Sequence, residues 1–170
     1  METSLLVWVC FSKVSVRCIP LQGAVTRFRG MFAFVLWDRR EERVFAARDR
    51  LGIKPLHYYT DDKRFVFGSE IKAILACPEV PKSLRADAAF DYFHFMYVPG
   101  PKTIFKGIHK FRPGHILALK KGSLVEKEYW DISFAETQQL SEAQWCRRII
   151  TNLPNSWTCA WSATCRWALF

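Results

Sequence analysis

The chain has 170 residues, 50% apolar and 24% charged, which is enough for one domain with a buried core and excludes a disordered chain. No run approaches the ~20 consecutive apolar residues that span a bilayer, and Glu2 precedes the short apolar stretch Leu5–Phe11 where a secretory signal carries positive charge. A cytoplasmic protein away from membranes is therefore expected.

The net charge of +9 is dispersed. Arg39, Arg40 and Arg43 are interleaved with Glu41 and Glu42, and Lys102, Lys106, Lys110, Arg112, Lys120 and Lys121 lie in a turn-rich segment. That is the pattern of a solvated surface, and a nucleic-acid partner is not expected. Cys10, Cys18, Cys77, Cys146, Cys159 and Cys165 form no C-x-x-C pair and have no His at zinc-finger spacing, so neither a metal site nor a disulfide framework is indicated. All but Cys77 lie before residue 28 or after residue 140, as do most of the tryptophans, which sets the two ends apart from the middle.

In chain order, Met31–Trp37 is an unbroken apolar run and Val44–Ala47 a second, joined by the polar Asp38-Arg39-Arg40-Glu41-Glu42; this predicts a hairpin buried on both faces. The segment Arg48-Asp49-Arg50-Leu51-Gly52-Ile53-Lys54-Pro55 follows as a turn, since Gly52 can take a positive φ and Pro55 cannot continue a ladder. Leu56–Tyr59 and Arg64–Phe67 predict a second hairpin around Asp61-Asp62-Lys63. Ser69 is the expected N-cap of a short helix with Ile71, Ile74 and Leu75 facing the core, ended by Cys77-Pro78. Asp87 is the expected cap of a further helix carrying Phe90, Phe93 and His94 on one face and stopped by Pro99-Gly100-Pro101. His115–Leu119 and Leu124–Glu128 predict two more strands joined at Lys120-Lys121-Gly122. Strands that pair mainly with their sequence neighbours, with helices inserted between them, give an α+β class with antiparallel sheets.

Five blocks in this order are specific enough to mark a family: Phe28–Asp38 (FRGMFAFVLWD), Ala46–Leu56 (AARDRLGIKPL), Phe67–Leu75 (FGSEIKAIL), Tyr97–Lys110 (YVPGPKTIFKGIHK) and Arg112–His115 (RPGH). Together they resemble the second half of the class II glutaminase domain of glutamine-hydrolysing asparagine synthetases of the B type. The first three blocks also fit other class II glutamine amidotransferases. The Tyr97–His115 stretch and Tyr129-Trp130-Asp131 favour the synthetases.

The resemblance implies a truncated N-terminal-nucleophile hydrolase fold, antiparallel sheets sandwiched between helices. It also implies that the intact enzyme takes ammonia from glutamine and uses ATP and Mg²⁺ to convert aspartate to asparagine. In that family a cysteine at the start of the mature chain attacks glutamine, with its own α-amino group as base. This sequence begins Met1-Glu2. The family's substrate-binding Arg, its Asn-Gly oxyanion pair and its Asp for the glutamine α-amino group all precede the block at Phe28. No catalytic, cofactor-binding or metal residue is therefore transferred, and a chain inactive alone is expected. The alternatives are a non-catalytic fragment that binds a full-length synthetase, or the same part of another class II amidotransferase.

Arg48, Asp49, Arg50 and Glu70 are four of the charged residues inside the matching blocks. They could line a glutamine site, or they could fix strand ends beside Gly52 and cap the helix at Ser69; the second is expected because buried charges usually serve a partner. His57, His94, His109 and His115 have no neighbouring nucleophile in sequence and are expected to be packed or surface residues, and Cys10 and Cys18 to be bystanders.

The resulting division is an unmatched segment 1–22, a partial amidotransferase domain 23–134, and a linker with a frameshifted tail 135–170. The last rests on codon arithmetic. Read one nucleotide earlier, Trp157-Thr158 forces Asp and Trp167-Ala168 forces Gly, and the codons between permit a string similar to the one the family carries just before its ATP-binding loop. A single-base change between about Leu140 and Trp157 is implied, and the gene's nucleotide sequence tests it.

Overall fold

The computed structural model describes residues 6–10, 21–39, 41–135 and 139–165. The elements in chain order are β1 (Leu6–Cys10), α1 (Leu21–Val25), β2 (Ala33–Asp38), β3 (Arg43–Arg48), β4 (His57–Thr60) and β5 (Phe65–Gly68). They continue with α2 (Ile71–Leu75), α3 (Ala86–Phe95), β6 (Ile108–Lys110), β7 (His115–Lys120), β8 (Ser123–Glu128) and α4 (Glu142–Cys165). Every described strand pair is antiparallel, in two sheets ordered β1-β2-β3-β7-β8 and β5-β4-β6. The α+β class expected from the sequence is the one found.

The apolar run beginning at Met31 becomes a central strand because both of its faces are covered. Phe34 and Leu36 point with Phe32, Phe45, Ala47 and Ile116 into one apolar layer, closed by Val25 of α1 and by Phe28 and Tyr129. Ala33 and Val35 point the other way, with Ala46 and Leu117, against Leu56 and Phe111. Period-two alternation thus feeds two cores from one strand. The second layer lies between the sheets, since Tyr58, Phe65 and Phe67 of the smaller sheet pack on it. The outer face of that sheet buries Tyr59 and Ile108 against Ile74 and Val80, beneath α2. The order of layers is α1, large sheet, small sheet, α2.

Two expectations need correction. Ser69 does not cap α2: Glu70 holds the N-cap position without a side-chain bond, and the Ser69 carbonyl is occupied by His57 Nδ1 at 3.1 Å. Asp87 does not cap α3, whose N-cap is Arg85; the Asp87 carboxylate lies in the first turn and accepts from Arg85 Nε and Nη2 at 3.1 and 2.9 Å. That contact, before any other, holds the Asp87 pKa down at about 2. The aromatic face of α3 is largely open, with Phe90 and Phe93 69% and 82% exposed, and Ala88 is the residue buried.

Four elements go beyond the sequence expectations: β1 and α1 precede the first expected hairpin, and β6 and α4 come later. β6 pairs with β4, and α4 stands where a linker and tail were expected. At the start of α4, Ser141 and Gln144 bond each other's backbone and side chain, Ser141 N to Gln144 Oε1 at 2.9 Å and Gln144 N to Ser141 Oγ at 3.4 Å, which is a capping box. Among the described residues no helix is long and apolar enough to cross a membrane. Most of segment 1–22, including Cys18, and the end of the tail, residues 166–170, lie outside the described residues.

Candidate functional site

The Ala46–Leu56 block ends β3 and continues as a loop toward the smaller sheet, and its charges converge there. Asp49 is 2% exposed. One carboxylate oxygen accepts the amides of Leu51 and Ile53 at 3.2 and 2.9 Å and the other that of Lys54 at 3.0 Å, so the side chain closes the loop on itself. The Asp49 backbone ties the loop outward: its amide donates to the Phe32 carbonyl at 2.7 Å, and its carbonyl accepts from Gly52 and Gly114 at 3.1 and 3.0 Å.

Two glycines permit this close approach. Gly52 has a φ of +66°, and a Cβ there would lie 2.7 Å from Pro113 Cγ; Gly114 has a φ of +64°, and a Cβ there would lie 2.2 Å from the Trp130 carbonyl oxygen. Only glycine fits both the dihedral and the space.

Arg48 crosses between the sheets. Its Nε donates to the Lys54 carbonyl at 2.7 Å, Nη2 to the Gly52 carbonyl at 2.6 Å, and Nη1 to the Phe111 carbonyl. Burial pulls its pKa down, opposed by Asp49. Tyr129 donates its hydroxyl to the Arg48 carbonyl at 2.8 Å, and burial pushes its pKa up to about 12. Arg50 donates to the carbonyls of Phe28 and Thr26 at 2.7 and 2.9 Å and lies 6.0 Å from the centre of the Trp130 ring. Three of the four charged residues singled out from the sequence therefore meet here, bonded to backbone. Glu70 does not join them; it pairs with Lys72 at 2.7 Å on the surface.

An open pocket of about 610 Å³ adjoins the loop, lined by Arg48, Arg50, Lys110, Arg112, His115 and Trp130, and also by Glu128 and Asp131. Phe111, Gly114 and Tyr129 complete the site from far along the chain. Their signal in the sequence is the R-P-G-H block and the Tyr129-Trp130 pair, but nothing in that spacing marks contact with Arg48 or Asp49.

The histidines are dispersed. His57 bonds the Ser69 carbonyl, and His109 lies 5.5 Å from the Tyr58 ring centre; burial lowers the pKa of both. His94 stacks on Phe90, and His115 Nδ1 is 2.7 Å from the Pro113 carbonyl. Cys77 donates to Glu79 at 3.0 Å, and that bond, followed by burial, raises its pKa. The thiol is thus held away from the thiolate that nucleophilic attack requires. Cys146 is exposed on α4. Among the described residues no group of three His, Cys, Asp or Glu could hold a metal ion.

Residues 16–130 match the family model of the glutamine amidotransferase domain. The chain is 41% identical over 112 residues to asparagine synthetase [glutamine-hydrolyzing] 3 of Bacillus subtilis, covering 65% of this chain and 18% of the relative. It is 38% identical over 112 residues to a putative asparagine synthetase [glutamine-hydrolyzing] 2 of Methanocaldococcus jannaschii, covering 64% of this chain and 22% of the relative. It is also 35% identical over 117 residues to amidase chry2 of Gibberella zeae, covering 66% of this chain and 16% of the relative. The chain spans about a fifth of the length of these relatives.

Proposed function

This chain belongs to the glutamine amidotransferase domain family, and from that premise we propose that it is part of the glutaminase domain of an asparagine synthetase, with the N-terminal-nucleophile hydrolase fold. The observation that best supports the reading is the two-sheet sandwich locked by the Arg48–Pro55 loop, in which the matched block makes the bonds between layers. In an intact enzyme of this type, glutamine supplies ammonia, and ATP and Mg²⁺ serve the conversion of aspartate to asparagine. The described residues offer no donor set that fits Mg²⁺. ATP, Mg²⁺ and aspartate would bind in the larger share of the relatives' length that this chain does not span. The cytoplasm is the location proposed on the same reading.

By itself the chain is proposed to be scaffold without glutaminase activity, because the pocket beside the Arg48–Pro55 loop has no cysteine among its lining residues and the Arg48 and Arg50 side chains are bonded to backbone carbonyls. Purified chain incubated with glutamine is expected to release no glutamate above buffer; release above that level overturns the inactive reading.

A second reading has its own support. Phe90, Phe93 and Met96 are 69%, 82% and 76% exposed, and β1, β8, β5 and β6 lie at the sheet edges among the described strands. Apolar helix faces and open edges seek partners, which favours association with a full-length synthetase subunit. Co-purification of the two is the expected result, and its failure counts against this reading.

A further inference from the structure

The pocket beside the Arg48–Pro55 loop is lined by more cations than carboxylates. Four cations line it, Arg48, Arg50, Lys110 and Arg112, against two carboxylates, Glu128 and Asp131. The groups that position three of the cations are backbone carbonyls: those of Lys54, Gly52 and Phe111 for Arg48, those of Phe28 and Thr26 for Arg50, and that of Val98 for Lys110. A carbonyl accepts an N–H bond without cancelling the formal charge, and a guanidinium with five donors keeps some after such bonds. Asp49, next to Arg48 in the chain, offsets part of its charge, and both Asp49 oxygens are engaged by loop amides. The fourth cation, Arg112, stands at a long 4.0 Å from Glu126.

Burial and the nearby Arg48 together push the Lys110 pKa down, the behaviour of a cation lacking an anionic partner. A recess walled in part by Phe111 and Trp130 concentrates such a field.

We propose that this pocket binds a small oxyanion, a carboxylate or a phosphoryl group, held by Lys110 and Arg112 with the remaining donors of Arg48 behind them. Charge-assisted N–H bonds to two or three oxygens are the chemistry these groups supply.

The test is calorimetric titration of the full chain at low ionic strength with inorganic phosphate and, separately, with acetate. Saturable binding of at least one is expected, and which of them binds distinguishes a phosphoryl from a carboxylate site. Lys110→Gln and Arg112→Gln should each weaken binding roughly tenfold, the loss of one charge-assisted bond, while Lys121→Gln on the β7–β8 turn leaves it unchanged. Arg112 has a side chain 54% exposed and takes no part in the loop bonds, so its variant decides the matter should Lys110→Gln unfold. No saturable heat with either anion, or equal affinity in Arg112→Gln and the parent, overturns the proposal.

Discussion

The Asp49 carboxylate closes a loop that the sequence marks only by Gly52 and Pro55. Its three amide bonds satisfy donors that would otherwise face a partly buried interior. Asp49→Ala is expected to cost about 3 kcal/mol, read as a lower urea midpoint, because the orphaned N–H groups lose their acceptor; an unchanged midpoint would show that water replaces the carboxylate. Tyr129 makes a pH-dependent contribution at the same place. Its folded pKa of about 12 stands above the ordinary 10.0, so the folded state keeps the phenol proton where the unfolded chain releases it. This stabilisation is complete below pH 10 and is lost as pH rises toward 12. Stability should therefore fall more steeply over that window in the parent than in Tyr129→Phe, and parallel curves from urea denaturation would contradict the assignment. At this scale the sequence shows that Arg48, Asp49 and Arg50 belong to one block. It does not show that their partners are Phe28, Phe111 and Gly114, because those contacts arise only when the sheets close.

Among the elements, the hairpins are legible because each strand announces itself by apolar runs and each turn by charged or glycine-containing stretches. The pairing of β3 with β7 is not, since nothing local encodes a ladder between segments so far apart in the chain; Arg43 meets Lys120 at one end of it and Ala47 meets Ile116 at the other. β6 leaves no mark in the pattern because three residues set among Gly107, Phe111 and Pro113 are too few to show alternation. The helix caps differ from expectation for another reason. An Asp or Ser before an apolar stretch is a good cap only when its side chain is not claimed elsewhere, and Arg85 claims Asp87. The converse holds at Ser141-Glu142-Ala143-Gln144, where a capping-box pattern does start a helix in a segment expected to be linker. For α3, periodicity establishes an apolar face but not what covers it. Since Phe90 and Phe93 are mostly exposed, the double variant Phe90→Ser, Phe93→Ser is expected to shift unfolding by no more than ~0.5 kcal/mol while reducing light scattering from self-association. A loss of several kcal/mol on urea denaturation would mean that the face is core after all.

At the scale of the molecule, two sheets face each other across a layer in which Phe111 joins the apolar packing to the Arg48 loop. Phe111 is 1% exposed and packs with Ala33, Val35, Ala46 and Leu117 of the large sheet and with Leu56 at the entry to the small one. Its amide donates to the Leu56 carbonyl at 2.9 Å, and its carbonyl accepts from Arg48. The ring also meets Tyr58 edge to face, with centroids 6.2 Å apart. Removing it leaves a cavity between layers that neither sheet can close alone, since each is held in register by its own ladder. Phe111→Ala should therefore cost roughly 3–5 kcal/mol, the value for a large aromatic truncated in a core, and should loosen the Arg48 loop with it. Hydrogen exchange would then rise together at the amides of Ile53 and Lys54 and along β4, whereas protection lost in β4 alone would mean that the loop is held by Asp49 independently of the sandwich.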